Sequence, residues 1–162
     1  MRYSDLAVRA VEVLRRKGMT LATAESCTGG GIAKAITDVA GSSAAFCGGF
    51  VAYHNDVKIS VLGVDSNIID RETEVSHACA KAMADAAGAR MGASLAVSTT
   101  GYAGPGGGTE RNPVGTVYIG VWSGRDCFSE RFSASKGSSR EEIREAAIER
   151  ALELVLQVAE LY

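Results

Sequence analysis

Apolar residues recur along this chain with two kinds of spacing, one typical of helices and one typical of strands. Segments of the two kinds alternate along the sequence. Helical spacing predicts a first helix over Ser4–Lys17, with Ser4 as its N-cap and Gly18 as its C-cap. Further helices are predicted over residues 32–39, 55–62 (capped by Asn55 or Asp56), 76–91 and, after a cap at Ser138 or Ser139, along the C-terminal stretch. Residues 66–74 are expected to form a short helical turn and a loop.

Runs of apolar and β-branched residues predict five strands, over residues 19–24, 44–53, 94–100, 114–122 and Cys127–Ser133. The run over 44–53 is expected to be largely buried, with Gly48 and Gly49 marking a bulge or a close contact. Strands interleaved with helices, followed by a hairpin, predict an α/β fold: a three-layer α/β/α sandwich with a mixed, mostly parallel sheet. No linker or repeat interrupts residues 1–162, so they are expected to form a single, stand-alone domain.

Composition narrows the classes of function. An apolar content of 46% with 22% charged residues is typical of a soluble globular protein. The formal net charge of −2 offers no basic surface, so no nucleic-acid partner is expected. Four scattered cysteines without metal-ligand spacing, and no signal peptide or long apolar run, indicate a reduced cytoplasmic protein with no bound metal and no membrane association.

The densest chemistry lies over residues 23–31, between a predicted strand and a predicted helix. This stretch contains a carboxylate, two hydroxyls, a thiol and three glycines, and Ser26 is at its centre. Glycines there allow a sharp turn and leave backbone N–H groups open at a helix start. Such N–H groups suit an anion, either a phosphate or the oxyanion of a reaction at Ser26.

Other polar residues lie at or just beyond the ends of predicted strands, where ligands collect in open α/β sheets. Lys58 follows the second strand and would act as a base if partly desolvated, although the pattern by itself favours a solvated lysine on a short helix. Tyr53 fits a core position and Arg140 fits either an anion site or an exposed helix face. Thr100 precedes a glycine-rich loop that lacks the spacing of the known phosphate-binding motifs.

Three further residues are rival candidates for chemistry. His54 lies near the proposed site but has no evident orienting acid, and it fits a surface position beside a turn. His77 fits a packing or surface position in the alanine-rich helix. Cys27, next to Ser26, is an alternative nucleophile, although the cysteines are most simply buried small apolar residues.

Several ordered motifs resemble those of the CinA C-terminal domain family over nearly the whole chain. They are Ala-Glu-Ser-Cys-Thr-Gly-Gly at 24–30, Gly-Phe-Val-Ala-Tyr-His-Asn at 49–55 leading to Lys58, Thr-Gly-Tyr-Ala-Gly-Pro-Gly-Gly at 100–107 and Pro-Val-Gly-Thr-Val at 113–117. The resemblance implies a three-layer α/β/α fold. It also implies an enzyme, because the family includes amidohydrolases that convert nicotinamide mononucleotide to nicotinate mononucleotide and ammonia in pyridine nucleotide salvage.

The resemblance also implies roles for single residues. Ser26 takes the position of the nucleophile, Lys58 that of the base and Tyr53 that of a tyrosine that assists proton transfer. The expected substrate-binding residues are Thr28, Gly29 and Gly30 around the oxyanion, and Thr100, Gly101, Ala103, Gly104 and Arg140 around the rest of the nucleotide. No cofactor is expected. The protein is expected to form a homo-oligomer.

Two departures from the family pattern keep rival functions open. Asn112 stands where a lysine is usual, which changes the charge of the loop, and Gly137, Ser138 and Ser139 replace the usual residues before Arg140. One rival is a non-catalytic nucleotide-binding or regulatory protein. The other is an amidase for a different small amide.

Overall fold

The computed structural model describes residues 3–162, which contain six α-helices and five strands. In chain order these are α1 (Ser4–Lys17), β1 (Leu21–Glu25), α2 (Gly31–Thr37), β2 (Phe46–Val51), α3 (Asn55–Val57), α4 (Ser66–Glu72), α5 (His77–Met91), β3 (Leu95–Gly101), β4 (Thr116–Trp122), β5 (Cys127–Ser133) and α6 (Arg140–Leu161). A 3₁₀ turn, Ser42–Ala44, precedes β2, and a π-helical turn, Lys58–Leu62, continues α3. Among these residues, no helix is long and apolar enough to cross a membrane.

The five strands form one mixed sheet in the order β2-β1-β3-β4-β5. The strand β1 pairs in parallel with both β2 and β3, whereas β4 is antiparallel to β3 and to β5. Helices cover both faces. One apolar core lies between the sheet and α1, α2 and α6, and a second lies between the sheet and α4 and α5. The predicted three-layer α/β/α sandwich with a mixed sheet is therefore confirmed.

The alignment of the strands decides where polar side chains meet. In the sheet register, Glu25 at the end of β1 pairs with Val51 at the end of β2 and with Thr99 near the end of β3. The three parallel strands therefore end at the same edge. The loop between β3 and β4 leaves from that edge too, because Gly101 pairs with Val117. Segments distant in the sequence converge there.

The helix α5 packs very close to the sheet, and small residues make this approach possible. A Cβ atom built on Gly120 of β4 would collide with the backbone carbonyl of Ala80 in α5. In the opposite direction, a Cβ atom on Gly88 of α5 would collide with the ring of Trp122. The small residues Gly88 and Ala80 of α5 therefore allow close contact between this helix and the sheet.

The structure corrects several local predictions. The strand β2 is an edge strand whose residues are alternately half-buried and exposed, so the prediction of a largely buried strand was wrong. Its glycines do mark a bulge opposite Leu21 and a close contact, since a Cβ on Gly49 would collide with the Thr23 hydroxyl. The N-cap of α1 is Tyr3 rather than Ser4. The N-cap of α3 is His54, whose ring nitrogen accepts a hydrogen bond from the Asp56 amide.

Candidate active site

The turn between β1 and α2 is held by the buried carboxylate of Glu25. Its two oxygens accept hydrogen bonds from the amides of Ile32 (3.0 Å) and Ala33 (2.9 Å) in the first turn of α2, and from the hydroxyl of Thr28 (2.6 Å). A carboxylate at this end of a helix also interacts favourably with the helix dipole. Glu25 therefore fixes the start of α2 and the turn that carries Ser26.

Ser26 and Lys58 are in direct contact. The Ser26 Oγ lies 3.1 Å from the Lys58 Nζ, and the backbone carbonyl of Tyr53 lies 3.3 Å from the same Nζ and 3.5 Å from the same Oγ. Lys58 belongs to the π-helical turn after α3, and its side chain is only 1% exposed. The fold therefore brings together the serine and the lysine that the sequence singled out, at the ends of two neighbouring strands.

Burial lowers the pKa of the Lys58 ammonium below its usual value of 10.5, because the charged form loses its hydration. The charges of Cys79, Glu74 and Cys27 act in the opposite direction and raise this pKa, but desolvation is the larger effect. A neutral lysine amine has a lone pair and accepts a proton, which the ammonium form does not. Lys58 is thus suited to take the proton of the Ser26 hydroxyl.

The phenol of Tyr53 lies at the exposed rim of the site. The residue is 59% exposed, and its hydroxyl accepts a hydrogen bond from the Arg140 guanidinium at 3.0 Å. It is the Tyr53 backbone carbonyl, and not the phenol, that contacts Ser26 and Lys58. Direct transfer between Ser26 and Lys58 therefore requires no relay through the phenol, which had been the role implied for Tyr53.

Arg140 is brought to the rim by the start of α6. Ser139 is the N-cap of α6 and forms a reciprocal capping box with Glu142, so the unusual sequence before Arg140 still begins the helix well. One guanidinium nitrogen of Arg140 donates to the Gly104 carbonyl at 2.7 Å. The arginine therefore ties α6 to the loop after β3 and keeps its positive charge at the mouth of the cavity.

These residues surround a cavity of about 310 Å³, which is within the range of small-molecule sites. Eight of the eleven predicted site residues line it. They are Ser26, Tyr53, Lys58, Thr100, Gly101, Ala103, Gly104 and Arg140. The hydroxyl of Thr100 donates to the Glu74 carbonyl at 2.6 Å, so this side chain also fastens the wall. Among residues 3–162, no group of three or more His, Cys, Asp or Glu side chains is arranged to hold a metal ion.

Thr28, Gly29 and Gly30 do not line the cavity. The Thr28 side chain is fully buried, because its hydroxyl bonds to Glu25 and to the Thr99 hydroxyl (2.7 Å). The Gly29 amide donates to the Ser26 carbonyl. Within the described part of the chain, the amides of Cys27, Thr28 and Gly30 donate to no other residue, so of the three predicted oxyanion residues it is Gly29 whose amide is already bonded.

The rival candidates are placed less favourably for catalysis. Burial raises the pKa of the Cys27 thiol to about 12, so the thiolate that would act as nucleophile is absent near neutral pH. His54 lines the cavity, but its side chain is 76% exposed and lies beside Asp56. His77 lies outside this cavity and contacts Ser129 and the ring of Tyr118.

Two charged side chains at the site were missed from the sequence. Arg144, one turn after Arg140 on α6, donates to the carbonyls of Cys27 and Thr28 at 3.1 Å each and so braces the turn around Ser26. Its spacing of four from Arg140 is a signal that places both on one helix face. Glu74 lines the cavity from a loop, where no periodicity marks it.

Asn112 has a structural role that the sequence did not reveal. It is 7% exposed, its amide nitrogen donates to the Val75 carbonyl at 3.1 Å, and its oxygen accepts from the Tyr118 hydroxyl at 2.9 Å. It does not line the cavity that contains Ser26 and Lys58. The residue therefore supports the cavity wall from behind, and the expectation that it alters the charge facing a phosphate is not met.

The fold and the site together define a three-layer α/β protein with a buried serine–lysine pair at the edge where its parallel strands end. The family model of the CinA C-terminal domain matches residues 3–159, and the chain belongs to this family.

Similar proteins agree with this assignment. A CinA-like protein from Desulfotalea psychrophila is 46% identical over 144 residues, which are 89% of this chain and 34% of that protein. A CinA-like protein from Synechocystis is 53% identical over 109 residues, 67% of this chain and 26% of that protein. The chain thus spans about a third, or less, of the length of these curated relatives.

Solved structures show the same fold. The competence/damage inducible protein CihA from Agrobacterium tumefaciens is 39% identical with a TM-score of 0.93, and the match covers 97% of this chain and 95% of that chain. A CinA superfamily protein from Klebsiella pneumoniae is 28% identical with a TM-score of 0.94, and the match covers all of both chains. The names of these proteins state no enzymatic activity.

Proposed function

We propose that this chain is a serine amidohydrolase that cleaves the carboxamide of nicotinamide mononucleotide, giving nicotinate mononucleotide and ammonia. The observation that carries the proposal is the 3.1 Å contact between the Ser26 hydroxyl and a buried lysine whose pKa is lowered by desolvation. This pair supplies a nucleophile and its base from the protein itself, so the reaction needs neither a metal ion nor a cofactor.

In the first half of the reaction, neutral Lys58 takes the Ser26 proton while the Oγ attacks the carboxamide carbon. The amides of Cys27 and Thr28 donate to the oxyanion that develops on the carbonyl oxygen. The Lys58 ammonium then gives its proton to the departing nitrogen, the C–N bond breaks, and ammonia leaves. An ester between Ser26 and the nicotinoyl group remains.

In the second half, Lys58 takes a proton from a water molecule, which attacks the ester carbon. The C–O bond to Ser26 breaks, and Lys58 returns the proton to the Ser26 Oγ. The product is a carboxylic acid, which loses its proton to solvent. At the rim, the Arg140 guanidinium is the group suited to the phosphate of the nucleotide.

The proposal is tested by measuring ammonia release from nicotinamide mononucleotide and, in parallel, from free nicotinamide. We expect the native protein to act on the nucleotide, to act much more slowly on nicotinamide, and to lose activity in Lys58→Ala. Release from another amide at a far higher kcat/KM would instead identify an amidase with a different substrate. Tight binding of the nucleotide without turnover would show a binding protein and overturn the proposal.

A further inference from the structure

The segment of residues 73–75 is held in an unusually constrained way. Each of its three consecutive carbonyls accepts a hydrogen bond from a polar side chain. Ser76 donates to the carbonyl of residue 73 (2.9 Å), Thr100 to that of residue 74 (2.6 Å) and Asn112 to that of residue 75 (3.1 Å). The donors come from the start of α5, from β3 and from the loop before β4. The position of the middle residue, Glu74, is therefore fixed from three directions.

The same segment contains the only residue other than glycine with a positive φ in the described part of the chain. Thr73 has φ +69° and ψ 167°, a conformation that glycine adopts readily and that a β-branched residue adopts at a cost. Such strain persists only where surrounding contacts impose it. The three side-chain donors supply those contacts, and the result is that Glu74 turns into the wall of the cavity.

The carboxylate of Glu74 has no fixed partner. The residue is half-buried and lines the cavity together with Ser26 and Lys58. Within residues 3–162 its carboxylate forms neither a hydrogen bond nor a salt bridge, yet its charge raises the pKa of Lys58. Because Lys58 must be neutral to act as the base, it is not a lasting partner for this charge.

The cavity therefore has a positively charged side chain at its rim and a negatively charged side chain on its wall. Arg140 carries a positive charge at the exposed rim, where it contacts Tyr53 and Gly104. Glu74 carries a negative charge on the half-buried wall, near the lysine that attends the scissile bond. A neutral amide would leave the carboxylate unpaired in a partly desolvated position, which is unfavourable.

We propose that Glu74 selects the positively charged ring of the substrate, so that the site accepts pyridinium carboxamides in preference to neutral amides. The proposal rests on the proposed function and sharpens it: the substrate is a zwitterion whose cationic ring lies against Glu74 and whose anionic group lies at Arg140. The ring charge belongs next to the reacting carboxamide, because both are on the same ring. A carboxylate near Lys58 is in the right part of the cavity to meet it.

The test uses two ligands that differ in ring charge: 1-methylnicotinamide, a pyridinium cation, and nicotinamide, which is neutral. Their dissociation constants are measured by calorimetry for the native protein, Glu74→Gln and Glu74→Asp. Glu72→Gln is the matched control, because Glu72 is a nearby exposed carboxylate outside this cavity. Thermal unfolding of each variant verifies that it is folded.

We expect the native protein and Glu72→Gln to bind the cation about tenfold more tightly than the neutral ring, as for one partly desolvated charge pair. Glu74→Gln should bind both ligands equally, and Glu74→Asp should retain part of the preference. Equal affinities in the native protein, no measurable binding of the cation, or a preference that survives Glu74→Gln would overturn the inference. Because binding needs no turnover, a protein that shows this preference but releases no ammonia would refute only the proposed function.

Discussion

At the scale of single residues, the fold treats two neighbouring nucleophiles differently. Ser26 and Cys27 are both buried and both line the cavity, but it is Ser26 that contacts Lys58. Cys27 is buried, its thiol pKa is raised to about 12, and its carbonyl is held by Arg144. The more nucleophilic atom type is thereby kept protonated, and the serine is given a base. The choice of nucleophile at this turn therefore follows from the environment of each side chain rather than from the residue type.

Lys58 gives the first prediction, a dependence of rate on pH. Only neutral Lys58 accepts the Ser26 proton, so kcat/KM should rise with pH and level off above the pKa of Lys58. Because burial lowers that pKa, this limb should lie below 10.5, the usual value for lysine. Lys58→Arg should be inactive at every pH, since arginine stays protonated. A pH–rate profile without this limb down to mildly acidic pH would argue against Lys58 as the base.

The sequence was enough to single out most of the lining residues but not their orientations. Ser26 and Lys58 follow strands and Thr100 lies near the end of β3, and the rule that parallel strands end at one edge brings them together. Tyr53 contacts Lys58 through its backbone carbonyl and not through its phenol, and the Thr28 hydroxyl points inward to Glu25. Both orientations depend on tertiary hydrogen bonds that no local pattern encodes. Glu74 is in a loop held by distant residues, so it had no signal at all.

At the scale of elements, the turn from β1 to α2 depends on Glu25. The carboxylate satisfies two amides of α2 and the hydroxyl of Thr28 in a fully buried position. Two glycines with positive φ, Gly29 and Gly30, allow the chain to bend around it. The helix start that the sequence suggested as an anion site is thus already occupied by an anion from the protein itself.

Glu25→Ala should therefore destabilise the protein by about 3 kcal/mol, because buried amides lose their charged acceptor. The free energy of unfolding from urea titration measures this loss. Glu12→Ala, which removes an exposed carboxylate of α1, is the control and should change stability by less than about 0.5 kcal/mol. An equal, small effect of both substitutions would show that Glu25 does not hold the turn.

Element boundaries were predicted well where a cap or a glycine marks them. The helix α1 has the predicted range, and α5 begins after its Ser76 cap and ends at Met91, before its Gly92 cap. The strand β2 was misjudged because its apolar residues resemble a buried strand, whereas its place at the sheet edge is a property of topology. Likewise, the π-helical turn that points Lys58 at Ser26 has no sequence signature.

At the scale of the whole molecule, the two outer layers have different roles. The α6 side supplies Arg140 and Arg144, which reach the rim and the Ser26 turn. The α5 side lies close against the sheet, and the constrained segment of residues 73–75 directly precedes the start of α5. The geometry of the site therefore depends on the spacing between the sheet and each of the two helical layers. Assembly into a homo-oligomer stays an expectation from the sequence.

Gly120→Ala tests this layer spacing. Its Cβ would meet the Ala80 carbonyl, a backbone atom that cannot rotate away, so we expect a loss of about 3 kcal/mol from overpacking. Gly106→Ala is the control, because its Cβ would meet nothing within 4 Å and its φ is not positive. Thermal unfolding compares the two. Native stability in Gly120→Ala would contradict the close packing of α5 on the sheet.

The central claim, that Ser26 is the nucleophile of an amidohydrolase, is tested most directly by one comparison of neighbouring residues. Ammonia release from nicotinamide mononucleotide is measured for the native protein, Ser26→Ala and Cys27→Ala. The rate should fall by about a thousandfold or more in Ser26→Ala. In Cys27→Ala it should stay within about tenfold of the native rate, since this thiol is protonated and buried. Unchanged release by Ser26→Ala would contradict the account.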